Sequence, residues 1–409
     1  MFINNVPKLI FVAMLVNVFV TIFNKSWKLY KKELIAVGLF ILTFILSIII
    51  NGSIIGAGLL FLYYHLFPLV AYFYIIGSSM LIREKELLFG YILFMCLELQ
   101  LLITTIQNFP SLLVGEVSFG DYAFGTFSFP YVQTSTFLLA LSIFYYVSKY
   151  FFLRKKKHLM KAGIAFFGVL LASVGFFTIL LLLVLFAYFL FLIGTGAGGS
   201  RRLILKTVLI VASIISIPII VVVMNPDLLY GFDYIALKIQ EILDKPILEI
   251  PKVFSFLNLY NMMVNNGSFL FGSGPGMFLS LAAQKYSTPL WNDYNSTNVL
   301  VGFLGSGDWV ENSFVILVGE VGIAGWFSYM LFYGSVFLNL QNRNINCKIK
   351  KQNVTLNFTM MVLFFCSIYS FTISLFEIKE NIVVSLIIAA LVNSYPIEDR
   401  LSFKEKNIK

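Results

Sequence analysis

Apolar windows long enough to cross the ~30 Å hydrocarbon core of a bilayer recur along almost the whole chain. They fall near residues 9–23, 34–50, 55–80, 87–107, 133–153, 162–176, 177–193, 203–224, 314–338, 358–376 and 381–394. The expectation is an all-α polytopic integral membrane protein with about eleven transmembrane helices. Apolar residues make up 59% of the chain and charged residues 12%, outside the range of a soluble domain. Ala162 to Ile193 is one unbroken apolar run, too long for a single tilted span, and both its flanks are basic. Equal charge at both ends requires two crossings, with a turn expected near Gly175. The first span has no basic segment before it and no small-residue cleavage site after it, and it reads as a retained helix.

Charge fixes the expected orientation. If the Lys-rich segment at 24–33 is cytoplasmic, alternation places 83–86, 154–161, 194–202, 339–357 and the C-terminal tail on the same side. Of the 29 Lys and Arg, 23 then lie on that side, against Lys8, Lys238, Lys245, Lys252, Lys285 and Lys379 outside. The outer side also holds twelve of the twenty acids. The N-terminus is thus expected outside and the C-terminus in the cytoplasm. The formal charge of +9 is an orientation signal that requires no nucleic-acid partner. Cys96 and Cys366 fall in expected spans and Cys347 in a cytoplasmic loop, which gives neither a disulfide framework nor a CxxC metal site.

This topology divides the chain into N-terminal helices over 1–224, a large external loop over 225–313, and C-terminal helices with a cytoplasmic tail over 314–409. A loop of that length usually carries function. Leu228 to Lys245 has the spacing of an amphipathic helix ended by Pro246, with Lys238 and Lys245 on one face. It reads either as a helix at the lipid headgroups or as an anion site. Phe254 to Phe271 is a candidate second interfacial helix. GSGPG, Gly272 to Gly276, is expected to turn tightly with backbone amides exposed. A smaller external loop, 108–133, carries Glu116 and Asp121 and no cation. Its Gly125 to Gln133 segment reads as an aromatic belt at the membrane edge.

Gly272, Gly274 and Gly276, followed by Asn312, Glu320, Gly322 and Gly325, resemble a pattern in the bacterial O-antigen polymerase and O-antigen ligase superfamily. There a Gly-x-Gly-x-Gly-type turn in the external loop precedes His-Asn and then Glu, Gly and Gly as the next helix begins. Glu311 stands where ligases carry their His, and GTFSFPY resembles a segment of the smaller external loop. The chain departs from relatives in having no external His or Arg, and Leu171 to Thr178 lacks a Ser-Arg-Gly. The resemblance is to the polymerase branch.

The resemblance implies a GT-C-like fold and a glycosyltransferase of the bacterial cytoplasmic membrane that polymerises lipid-pyrophosphate-linked repeat units into O-antigen or capsule. Its partners would be a polyprenyl-pyrophosphate-linked glycan, membrane lipid and a chain-length regulator protein, with no metal or other cofactor. A sugar hydroxyl is a weak nucleophile that calls for a carboxylate base, and a departing pyrophosphate calls for cations or amides. Asp308, Glu311 and Glu320 are the catalytic candidates. Lys238, Lys245, Lys285, the amides of Gly272, Gly274 and Gly276, and Asn312 are the substrate-binding candidates. Other readings stand beside these. Glu311 with Asn312 suits a helix cap, Glu320 and Glu98 suit buried polar contacts within spans, His65 suits a contact between helices, and His158 belongs to a basic loop. A ligase and a lipid-linked-oligosaccharide flippase are the alternative functions.

Overall fold

The computed structural model describes residues 6–24, 31–77, 98–99, 102–103, 106, 132–171, 181–188, 190, 256, 259–264, 269–296, 313–346 and 350–370. Among them all regular structure is helical. In chain order the helices are α1 (Val6–Asn24), α2 (Lys31–Asn51), α3 (Ile55–Gly77), α4 (Val132–Leu153), α5 (Lys156–Leu171), α6 (Leu281–Tyr286), α7 (Pro289–Ser296), α8 (Ser313–Asn346) and α9 (Lys350–Tyr369). Lys31–Asn51, Ile55–Tyr74 and Ser313–Asn342 are each long and apolar enough to cross a membrane.

The packing of α2 shows which solvent it was selected for. Its buried residues, Glu33, Ala36, Phe40, Phe44 and Ser47, recur at helical spacing and include a carboxylate and a hydroxyl. Its exposed residues include Ile35, Leu39, Leu42, Ile45, Ile49 and Ile50. A soluble helix would bury the isoleucines and expose the glutamate. Polar groups inside and branched aliphatics outside are the arrangement suited to lipid.

The chain forms two compact units. The first takes in residues 1–78, 241–339 and 366–389. In it α1 lies on α3 through Phe11, whose ring is 5.1 Å from Tyr63 and 5.7 Å from Phe67. Glu33, at the start of α2, takes a hydrogen bond from Asn339 near the end of α8, while Ser47 near the end of α2 donates to the Glu320 carbonyl early in α8. The two helices are therefore antiparallel.

The second unit takes in residues 79–240, 340–365 and 390–409. Here α4 and α5 form a tight hairpin, and α9 packs on it through Asn357, which donates to Ser148 Oγ at 2.9 Å and accepts from Tyr188 at 2.9 Å. The sequence reading treats 154–161 as a loop. The connection is only Arg154 and Lys155, with Arg154 in the left-handed region at φ 61°, and the helix resumes at Lys156. Lysine has good helix propensity, so the basic run extends α5 where the charge rule registers only a side of the membrane. The turn expected near Gly175 and the amphipathic helix expected at 228–245 lie outside the described residues, as does the smaller loop expected at 108–133 except for its last two residues, which begin α4.

Candidate functional site at a broken helix

Early in α8 the helix breaks at Gly322, whose φ of 73° and ψ of −179° no helix contains. A break in an apolar helix exposes backbone groups that lipid cannot satisfy, so protein must supply their partners. Segment 269–274 does so. An unbroken helix would pair the Gly319 carbonyl with the Ile323 amide and the Glu320 carbonyl with the Ala324 amide. Here Ser273 N–H donates to Gly319 O at 2.7 Å and Gly274 N–H to Glu320 O at 3.0 Å. Ile323 N–H donates to Phe269 O at 3.2 Å and Ala324 N–H to Leu270 O at 3.3 Å. Four bonds to the inserted segment take over from two within the helix.

Glycine is required on both sides of this seam. A Cβ on Gly322 would sit 2.1 Å from Leu270 O, and one on Gly272, itself at φ 68°, would sit 2.5 Å from the Glu320 carbonyl carbon. No side chain fits at those distances. Ser47 of α2 closes the seam, its hydroxyl donating to the carbonyls of Phe271 and Glu320.

The side chain of Glu320 does the rest. It is completely buried, and its carboxylate accepts from the backbone amides of Gly276, Phe278 at 3.2 Å and Ser280 at 3.0 Å. The sequence reading gives the GSGPG amides to a substrate pyrophosphate. In the structure the Gly274 amide is bonded to a backbone carbonyl and the Gly276 amide to Glu320, so the anion that this turn holds is the protein's own carboxylate. A carboxylate in an apolar interior is costly unless its lone pairs are bonded, and the turn answers that need.

Glu320 thereby positions the helices that come after the turn. Ser280, one of its donors, is also the N-cap of α6, its Oγ accepting from Ala283 N–H at 3.1 Å. Thr288 ties the far end back with a 2.9 Å bond to Met277 O, and Pro289 starts α7 at the position where its missing amide is harmless. Phe278, Leu279, Ala283 and Trp291 pack into one core with Val315 and Val318 of α8 and with Leu259, Met262 and Met263. That last trio belongs to the stretch read as an interfacial helix; its side chains are buried in protein.

Lys285, in the last turn of α6, is exposed, and its Nζ donates to the Tyr64 hydroxyl at 2.9 Å while lying 5.6 Å from the centre of the same ring. Tyr64 stands nine residues into α3, about 14 Å along its axis at ~1.5 Å per residue. The ammonium is thus held against the flank of an apolar helix.

Of the residues singled out in the sequence, the structure brings together Glu320, Gly272, Gly274, Gly276 and, through α6, Lys285. Glu311, Asp308, Asn312, Lys238 and Lys245 lie outside the described residues. Tyr64 and Ser47 went unnoticed, because a tyrosine and a serine in apolar helices carry no signal until their partners, more than two hundred residues away, are known. No protein-family model matches the chain, and no curated protein sequence matches it significantly.

Proposed function

We propose that this protein joins lipid-pyrophosphate-linked oligosaccharide repeat units into a surface polysaccharide, O-antigen or capsule, at the outer face of the bacterial cytoplasmic membrane. The observation that carries the reading is the Lys285–Tyr64 pair. A polyprenyl pyrophosphate joins an apolar tail to a charged head, so a site for it must set a cation against an apolar surface. A lysine on the flank of an apolar helix, with one of its three donors on Tyr64, is placed to meet such a group. The antiparallel run of α2 and α8 accords with the charge-derived topology, in which α2 begins in the cytoplasm and α8 begins outside.

In the step itself the acceptor sugar hydroxyl attacks the anomeric carbon of the lipid-linked glycan. The bond from that carbon to the pyrophosphate oxygen breaks, and the lipid pyrophosphate leaves with the electron pair. The hydroxyl proton passes to a carboxylate. Glu311 and Asp308, just before α8, are the residues suited to accept it, and Glu320, with all three amides upon it, positions the turn and Lys285.

A helix broken inside the membrane is also a feature of transporters, so the break at Gly322 favours a lipid-linked-oligosaccharide flippase as the second reading. Purified protein in vesicles containing lipid-linked repeat units separates the two: polymer forms if it is a polymerase, whereas translocation without polymer would sink that reading. Transfer to a lipid acceptor without lengthening would identify a ligase. In the same assay Lys285→Ala is expected to abolish polymer and Lys285→Arg to retain part of it. Glu311→Gln, which keeps shape and removes the proton acceptor, is expected to lower turnover by on the order of 10²–10⁴. Normal polymer from both variants would refute the proposed site.

A further inference from the structure

The α4–α5 hairpin concentrates charge in a way that membrane orientation does not require. Between residues 149 and 161 the chain carries Lys149, Arg154, Lys155, Lys156, Lys157 and Lys161. The positive-inside rule needs cations on one side of the bilayer and does not need them converged. Here four of them, Lys149, Lys155, Lys157 and Lys161, act on one buried imidazole, and Lys149 and Lys161 also lie 6.0 and 5.1 Å from the centre of the Tyr146 ring beside it. His158 is 8% exposed, its ring lies parallel to that of Tyr146 at 6.4 Å, and among the described residues its Nδ1 has no hydrogen-bond partner. Burial, and then the charges of Lys149, Lys157, Lys161 and Lys155, hold its pKa below the usual imidazole value. Among the described residues one acid answers this cluster: Glu98 accepts from Lys161 at 2.7 Å and from the Tyr146 hydroxyl. The first turn of α5 contains no acid.

The cluster also sits as a lipid-facing group should. Lys149 lies over the Tyr145 ring at 4.2 Å and Arg154 over the Phe151 ring at 5.5 Å, which pins the cations at the end of an aromatic-lined helix. Lys155, Lys156 and Lys157 are exposed. One and two turns along α5 from Lys156 and Lys157 come Met160 and Ile164, exposed at 66% and 40%. Cations followed by an exposed aliphatic strip match a headgroup followed by an acyl chain, whereas a free phosphate would have no use for the strip.

We propose that the α4–α5 hairpin binds the phosphate of an anionic phospholipid headgroup, with Lys155 and Lys157 as its outer donors. Clusters of this size beside a membrane helix attract acidic lipids strongly, and a bound phosphate relieves the mutual repulsion of lysines gathered around one buried ring. The site is separate from Lys285 and stands whether or not the polymerase reading does.

The test uses the full chain purified in mild detergent and exposed to equimolar phosphatidylglycerol and phosphatidylcholine, with retained lipid counted by native mass spectrometry. The wild type is expected to keep phosphatidylglycerol in preference. The double variant Lys155→Gln/Lys157→Gln should weaken that binding on the order of 25-fold, about fivefold for each cation removed. Lys155→Arg/Lys157→Arg, which keeps the charge at the same exposed positions, should retain it and shows that the hairpin still folds. Equal retention of the two lipids by the wild type, or unchanged retention by the glutamine variant, would overturn the proposal. Displacement of the lipid by millimolar inorganic phosphate would overturn it too, in favour of a soluble anion.

Discussion

Glu320 and Glu98 each put a carboxylate into an apolar stretch of sequence, and their surroundings are opposite. Glu320 is completely buried and is met by three backbone amides, those of Gly276, Phe278 and Ser280. Glu98 is about a third exposed and is met by two side chains, the Lys161 ammonium and the Tyr146 hydroxyl. Backbone donors cannot rotate away, so a carboxylate bound by them fixes the path of the chain. Side-chain donors can swing to water or to another anion, so a carboxylate bound by them is exchangeable. The first arrangement builds a fold and the second balances charge. An acid within a span is a functional candidate by default, yet that rule does not distinguish a residue that acts from one that holds.

The comparison breaks first at Glu320. Glu320→Ala leaves three buried N–H groups without an acceptor; at roughly 1–3 kcal/mol each, the loss is expected to exceed what the first unit tolerates. Glu320→Gln should also fail, because its NH₂ must face one of the amides, donor against donor. Gly322→Val should fail for a separate reason, since its Cβ would lie 2.1 Å from Leu270 O at a φ of 73°. Expression, and melting of any protein recovered in detergent, measure all three. A well-folded Glu320→Gln protein with no activity would show instead that Glu320 acts in the chemistry, and the contrast with Glu98 would collapse.

A smaller effect sharpens what the clasp is for. If Glu320 and the turn exist to aim Lys285, the other end of that aim is Tyr64. Tyr64→Phe keeps the ring under the ammonium and removes only its hydroxyl. A hydrogen bond to a charged group is worth about 1.5 kcal/mol or more, roughly tenfold. The expected outcome is a tenfold rise in KM for the lipid-linked substrate with unchanged melting. A lower melting temperature with unchanged KM would make the pair structural.

These two regions also show how far sequence could reach. The windows at 34–50, 55–80 and 314–338 coincide with three membrane-length helices, because continuous apolarity is a local property. Gly272, Gly274, Gly276, Glu320 and Gly322 stood out individually, since glycines near a span and an acid within it are locally unusual. What could not be read was that they are one object. The amides of an exposed-looking turn and a carboxylate forty-four residues further on gave two separate sites. Only a broken helix, visible as the φ of a single glycine, makes them partners. Tyr64 and Ser47 were silent for the same reason. At the hairpin the basic run was legible as charge, whereas its convergence on His158 depends on the two-residue connection at Arg154, which composition does not encode.

Replacement of Glu98 is expected to disturb the protein least. The side chains of Lys161 and Glu98 are 39% and 35% exposed, so solvent screens the pair strongly and it is worth no more than about 1 kcal/mol. Glu98→Gln keeps an oxygen for Tyr146 and for Lys161 and should leave expression and melting close to wild type. A double-mutant cycle with Lys161→Gln isolates the pair itself; its coupling energy is expected near ~0.5 kcal/mol and should shrink in high salt, as a partly exposed ion pair must. A coupling of several kcal/mol that salt does not change would make Glu98 a second buried clasp, equivalent to Glu320. Without the Glu98 charge, Lys161 would stand unneutralised in the cluster around His158, and Glu98→Gln should then bind phosphatidylglycerol more tightly than the wild type while losing almost nothing in stability.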